Sequence, residues 1–535
     1  MSPKAFVEAG AQAVWWQRGI IYQIYPRSFQ DSNGDGIGDL AGIIARLDYP
    51  VDLGIDAIWI SPIFPSPMAD FGYDVSNYLD IDPRFGDLQT FDRLVSEAHR
   101  RSLKVLMDYV PNHTSDQHPW FIDSRSSRNS CKRDWYIWRD AKPDGSAPSN
   151  WLAEFGGSAW QWDERTRQYY YHAFLPQQPD LNWRNPEVVE AMLAVLRFWL
   201  DRGVDGFRVD AIHYLFEDDE LRDNPPNPTW REGLSPARRL TRRYTISRPE
   251  VHNAIAAMRR VVDRHGPDRL LIGEAYLPIE QLVTYYGADL SGFHLPFNFH
   301  LISTPWNPAA ISKLVESYER HLPKGGWPNW VLGNHDKPRL ASRIGRAQAR
   351  IAAMLLLTLR GTPTIYQGEE IGMADVSIPR DRVVDSWEIN VPGLGLGRDP
   401  ERTPMQWDAS AHAGFSSVEP WLPVGSDYRS INVASEKADA TSMLSLYRAL
   451  IALRRAEPAL AIGSYVPLAA GERVLSYERR HAGRALLIAL NMSAEAACTD
   501  LHGPVLLSSY LDRKGARADG GHELRPAEGI VVGTD

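Results

Sequence analysis

Apolar, β-branched-rich runs recur along this chain, and most are separated by segments with helical spacing. Eight runs predict strands, over residues 20–26, 57–64, 104–110, 206–211, 270–276, 292–298, 330–335 and 362–368. Several are apolar without interruption, as parallel strands buried on both faces must be. Between and after them, apolar residues return every three to four positions, predicting helices over 88–101, 186–202, 252–266, 311–321, 346–359 and 441–457. Strand alternating with helix implies right-handed βαβ units. Eight such units imply an α/β fold, a (β/α)8 TIM barrel whose active site lies at the C-terminal ends of its strands.

Two intervals break the rhythm. After the third strand comes a stretch rich in Trp, Tyr, Gly and Pro, including Trp151, Trp160, Trp162 and Tyr169-Tyr170-Tyr171. It is too long for an ordinary loop and predicts a small inserted domain, 114–181. A second irregular stretch, 370–429, follows the eighth strand. From about residue 458 the helical pattern gives way to short apolar-rich runs, such as 473–477 and 485–490, which read as a C-terminal antiparallel β-sandwich domain, 458–535. The barrel then takes 1–113 and 182–457.

Composition narrows the function classes. With 535 residues the chain exceeds one ordinary core, so two or three domains are expected. A net charge of −9 argues against nucleic acid and anionic membranes as partners. Only Cys131 and Cys498 are present, so no disulfide framework exists and a reducing, cytoplasmic location is expected. Residues 1–14 show no basic stretch followed by an apolar run, and no apolar stretch approaches the ~20 residues that span a bilayer.

The chemistry concentrates at strand ends. Asp210 closes Gly206-Phe207-Arg208-Val209-Asp210, Glu274 closes the run at 270–276, and Asp336 follows Gly333-Asn334-His335. Asp108 and His113 stand around the end of the third run. Three carboxylates on three strand ends suit glycoside cleavage, which needs one carboxylate as nucleophile or base and one carboxylic acid for the leaving oxygen. Arg208 lies two residues before Asp210, so on a strand both side chains share a face, and its charge favours an ionised Asp210.

Seven segments in order resemble the family 13 glycoside hydrolases of the α-amylase superfamily. They are residues 54–62, Asp108–His113, Gln178-Pro179-Asp180-Leu181-Asn182, Gly206–Asp210, Gly273-Glu274-Ala275, Asn334-His335-Asp336, and Gly361-Thr362-Pro363 through Glu369. The form Gln178–Asn182, with Arg402-Thr403-Pro404-Met405-Gln406-Trp407, is similar to the α-glucosidase and oligo-1,6-glucosidase branch. The resemblance implies Asp210 as nucleophile, Glu274 as general acid/base and Asp336 as the third acid, binding sugar hydroxyls. It implies His113 and His335 as hydroxyl-binding residues, Tyr73 stacking on the terminal sugar, and Phe174 lining the same pocket. It further implies a 4-hydroxyl clamp between Asp70 and Arg402, which makes the enzyme exo-acting. Members preferring α-1,6 links tend to carry Val where this chain has Ala211, so α-1,4 links such as maltose are expected, with transglucosylation alongside hydrolysis.

The stretch Asp31-Ser32-Asn33-Gly34-Asp35-Gly36-Ile37-Gly38-Asp39 places oxygen ligands at alternate positions. Gly42 stands where an EF-hand has its bidentate Glu, so it is not an EF-hand. The resemblance implies a structural Ca2+ or Mg2+ held by Asp31, Asn33, Asp35, the Ile37 carbonyl and Asp39, with no cofactor for catalysis. The partner expected is a small oligosaccharide or disaccharide, with the protein a monomer or homodimer. Competing readings are an oligo-1,6-glucosidase, a sucrose-processing or α-glucosyl-transferring relative, and, remotely, a non-catalytic binding protein of the same fold.

Overall fold

The structure is a computed structural model that describes residues 13–468 and 471–534. Most of the N-terminal segment read for a leader lies outside the described residues. Eight parallel strands form the central sheet: β1 (Ile21–Ile24), β2 (Ala57–Ile60), β3 (Lys104–Tyr109), β4 (Gly206–Val209), β5 (Leu270–Gly273), β6 (Leu295–Pro296), β7 (Asn329–Val331) and β8 (Thr362–Tyr366). Their order is β7-β8-β1-β2-β3-β4-β5-β6. A parallel bridge between Asn298 and Trp330 joins the two edges and closes the barrel. The strands are buried almost throughout, which is why several read as continuous apolar runs.

Each strand is shorter than the apolar run that announced it; past β4 and β5 the residues that leave the sheet include Asp210 and Glu274. β6 shrinks most, to two residues; Pro296 within it has no N–H to give the ladder. The helix expected over 346–359 begins earlier, at Leu340, and turns a corner at Gly345, whose φ of 78° lies in the left-handed region.

Between β3 and β4 the chain forms a helix, Pro119–Ser126, and a three-stranded antiparallel sheet of Trp138–Arg139, Gln168–Tyr171 and Trp160–Asp163. The aromatic residues that marked this stretch are its core: Trp151, Trp160 and Tyr171 are buried together. That cluster also takes in Ala211 and Tyr214 from beyond β4, so the insert is built onto the barrel mouth. C-terminal strands Val474–His481, Arg484–Asn491 and Gly529–Gly533 lie in a six-stranded sheet, with a second pair, Ala497–Thr499 and His522–Leu524. One hydrophobic cluster runs from the barrel into this sheet.

Candidate active site

Arg208 is the hub. Its β4 side chain is 1% exposed, and one nitrogen, Nη1, lies 2.7 Å from both Asp108 Oδ1 and Asp210 Oδ1. The other, Nη2, lies 2.8 Å from Glu274 Oε1. Neighbouring strand ends bring them together: β3 carries Asp108, β4 carries Arg208 and leads into Asp210, and β5 leads into Glu274. The backbone repeats the pattern just past the sheet, with Asp210 N–H donating to Tyr109 O and Glu274 N–H to Val209 O. Glu274 Oε2 accepts the backbone N–H of Ala211 at 2.9 Å.

Three carboxylates thus surround one guanidinium, too many negative charges for one cation in a buried site. Burial pushes the Asp108 carboxyl up to about 6 against the pull of Arg208. Burial also pushes Asp210 well up, reinforced by Glu274 and Asp108 and opposed by Arg208. The Arg beside Asp210 therefore does not set its ionisation alone, as the two-residue spacing suggested; its charge is shared three ways. Carboxyl groups raised in this way suit acid/base glycoside chemistry.

His335 sits behind this cluster with both ring nitrogens engaged. Gln23 Nε2 lies 2.7 Å from Nδ1, so Nδ1 is the bare acceptor and Nε2 carries the proton. Nε2 lies 2.7 Å from the Tyr73 hydroxyl, which donates to Asp108 Oδ2 at 3.1 Å. Burial drives the His335 pKa well below its ordinary value, so the imidazole is neutral. His113 is also buried, its pKa pushed to about 3. Its Nε2 lies 3.1 Å from the Tyr73 carbonyl oxygen and its ring 5.1 Å from that of Phe174.

Asp336 is the most open acid of the site, its side chain 20% exposed. Burial would raise its pKa, but neighbouring charge holds it far below the carboxylate range; with His335 neutral, the cations responsible are Arg402 at 2.7 Å and Arg398 at 3.3 Å.

Contrary to what the resemblance implied, Asp70 does not pair with Arg402. Its partner is Arg398, whose Nη2 lies 2.6 Å from Asp70 Oδ1; Arg402 instead holds Asp336 and the His335 carbonyl oxygen. The two arginines flank one 3-10 turn, Asp399–Glu401; both reach Asp336, while Arg398 also pairs with Asp70. Asp385 Oδ1 accepts from the same Arg398 Nη2 at 2.6 Å and from Nε at 2.9 Å, and Gln178 donates to Asp70 Oδ2 at 3.2 Å. Sequence reasoning missed Arg398, though Gly-Arg-Asp-Pro-Glu-Arg offered both cations. It also missed Gln23 and the Ala211 N–H, which carry no sequence mark.

The 31–39 loop is closed by its own hydrogen bonds. Asp31 Oδ1 accepts the N–H groups of Asn33 and Gly34, Asn33 Oδ1 that of Asp35, and Asp35 Oδ1 that of Ile37. Asp39 caps the helix Leu40–Ala45 through the Gly42 N–H and takes the Ser32 hydroxyl. Among the described residues, no group of three or more His, Cys, Asp or Glu side chains converges as a metal site.

A closed parallel barrel with an aromatic insert after β3, and acids at the ends of β4, β5 and β7, defines a carbohydrate-cleaving class. The model of the alpha-amylase catalytic domain matches residues 23–463, and the chain belongs to that family. It is 45% identical over 502 residues to a probable alpha-glucosidase of Rhizobium meliloti, covering 91% of each chain. It is 42% identical to maltase 1 of Drosophila virilis, covering 93% of this chain and 81% of that one. The crystal structure of an alpha-glucosyl transfer enzyme superposes with a TM-score of 0.92 at 42% identity, covering 98% of this chain and 100% of the other. Within its family this chain is a glycoside hydrolase of the α-glucosidase branch.

Proposed function

We propose that the protein releases glucose from the non-reducing end of short α-glucosides with retention, preferring α-1,4 links such as maltose. The observation that carries this reading is one guanidinium paired with both Asp210 and Glu274. Two acids sharing one cation lie close together, as a nucleophile and an acid/base must, rather than apart with room for a water between them. Asp210 attacks the anomeric carbon and forms a glucosyl-enzyme while Glu274 protonates the departing oxygen; Glu274 then takes a proton from the incoming water. Asp336, held ionised by Arg402 and Arg398, binds hydroxyls of the same sugar. The buried Asp70–Arg398 pair, with side chains 5% and 6% exposed, closes the pocket on the 4-hydroxyl and leaves no passage for a longer chain.

Ala211 keeps the space beside Glu274 small-walled, which supports the α-1,4 preference. Transfer to a sugar hydroxyl uses the same glucosyl-enzyme, and the likeness to a glucosyl transfer enzyme supports transfer as a side activity. Initial rates on maltose, isomaltose and sucrose test the assignment, with Asp210→Asn as control. Maltose is expected to give the highest kcat/KM and the variant none. Cleavage of none of the three, or a large preference for isomaltose, overturns it.

A structural divalent cation in the 31–39 loop is a separate reading. An all-oxygen donor set suited to a hard cation supports it; the engagement of Asp39 by Ser32 and Gly42 weighs against it. A cytoplasmic location is supported by the two cysteines, both unpaired and exposed. Among the described residues no helix is long and apolar enough to cross a membrane.

A further inference from the structure

Glu274 receives its second hydrogen bond from an awkward place. Ala211, whose N–H it accepts, has φ 44° and ψ 31° and is the entry residue of the 3-10 turn Ile212–Tyr214. A non-glycine residue there is strained and persists only where its surroundings over-determine it. The turn is held by one bond of its own and by several from segments outside the barrel. Tyr214 N–H donates to Ala211 O at 2.9 Å, and Ser247 N–H donates to His213 O. The Tyr214 hydroxyl donates to Glu154 Oε2 at 3.1 Å. Arg242 binds both the Tyr214 hydroxyl and the Glu154 carboxylate.

These three side chains come from three segments: Glu154 from the insert, Tyr214 from the turn after the nucleophile, and Arg242 from the excursion 217–249. The Arg242 and Glu154 side chains are 22% and 18% exposed, so little water screens the pair. Further bonds tie the excursion to the insert: Asn150 and Asn224 exchange two, and Trp151 Nε1 donates to Arg222 O at 2.9 Å. Tyr214 also packs its ring 5.0 Å from Phe174 and shares a hydrophobic cluster with Ala211.

We propose that Arg242, Glu154 and Tyr214 form a positioning latch: they hold the Ala211 turn in its left-handed conformation and so aim the Ala211 N–H at Glu274, fixing the acid against the leaving oxygen. The inference rests on Glu274 being the general acid, and its test separates the two. A misplaced acid penalises poor leaving groups, which need the proton, and spares good ones, which do not. The assay is kcat/KM on aryl α-glucosides running from nitro-substituted phenols to phenol itself, for wild type, Tyr214→Phe, Arg242→Met, Arg242→Lys and Glu274→Gln. Tyr214→Phe removes a single hydroxyl and keeps the ring packing, so it remains informative if Arg242→Met fails to fold.

The result expected is a steeper dependence on leaving-group acidity in Tyr214→Phe and Arg242→Met, about tenfold lower on phenyl glucoside and within about twofold on the best leaving group. Arg242→Lys, which keeps a cation beside Glu154, recovers most of the loss. A uniform fall across the series, or none, while Glu274→Gln steepens it, overturns the latch. If Glu274→Gln leaves the slope unchanged, the acid assignment falls and the latch with it.

Discussion

Replacing Arg398 by Met tests the corrected clamp through stability, activity and pH together. The guanidinium lies 2.6 Å from Asp70 and from Asp385, and 3.3 Å from Asp336. Asp385 is wholly buried, so the variant strands a carboxylate where water does not reach. Breaking a buried pair from one side costs about 3–5 kcal/mol. The backbone N–H of residue 398, which donates to Asp385 Oδ2 at 3.0 Å, survives the change and places the cost near the lower end. The sign of the pH dependence follows from Asp385. Burial would raise its pKa, but Arg398 and Arg402 hold it below the ordinary carboxylate value. In the wild type it therefore adds stability that is present above the unfolded pKa of about 4 and is lost as pH falls. In the variant burial prevails, the carboxyl moves up, and stability is lost as pH rises instead. Urea unfolding at pH 5 and pH 7 should show the variant about 3 kcal/mol weaker at pH 7 and less so at pH 5. On maltose, loss of the charged clamp should lower kcat/KM about a hundredfold, the worth of one strong charged hydrogen bond. Asp70→Asn should add little to Arg398→Met but its full effect to Arg402→Met. A deficit under about 1 kcal/mol, one equal at both pH values, or coupling of Asp70 to Arg402 as strong as to Arg398 would refute the reasoning.

Further outcomes follow from the same geometry. Asp108→Asn removes one negative charge from around Arg208, so the acid limb of the kcat/KM profile should move to lower pH; a limb that stays or rises contradicts the shared-charge account. Tyr276 is 39% exposed beside Glu274 and stacks on Phe299 at 4.2 Å, a ready platform for the departing sugar. Tyr276→Ala should raise KM for maltose about threefold to tenfold, the worth of one aromatic contact, while leaving kcat within twofold; an unchanged KM removes it from the aglycone side. EDTA should lower the melting temperature if the 31–39 loop carries a cation, and an unchanged melting curve speaks against one.

The barrel was legible because parallel strands buried on both faces are mostly apolar, and the runs recur in alternation with helical spacing. The catalytic acids were legible for a related reason: each stands where such a run ends, the one place a barrel strand tolerates a charge aimed at substrate. What stayed hidden depends on approach in three dimensions. Arg398 and Arg402 are four residues apart in one turn, and only the fold shows which acid each meets. His335 takes its tautomer from Gln23, on the opposite side of the sequence. Ala211 is an alanine in a glycine-like conformation, and nothing in its neighbours along the chain marks it. The sixth strand was read as seven residues and is two, because its run also supplies Phe297 to packing beyond the sheet.

The central claim is retention through Asp210 and Glu274, and proton NMR of maltose hydrolysis in its first minutes tests it most directly. The account predicts that the glucose released from the non-reducing end appears first as the α-anomer and only later mutarotates. Release of the β-anomer first would mean a single inverting displacement, and the assignment of Asp210 as nucleophile would be wrong.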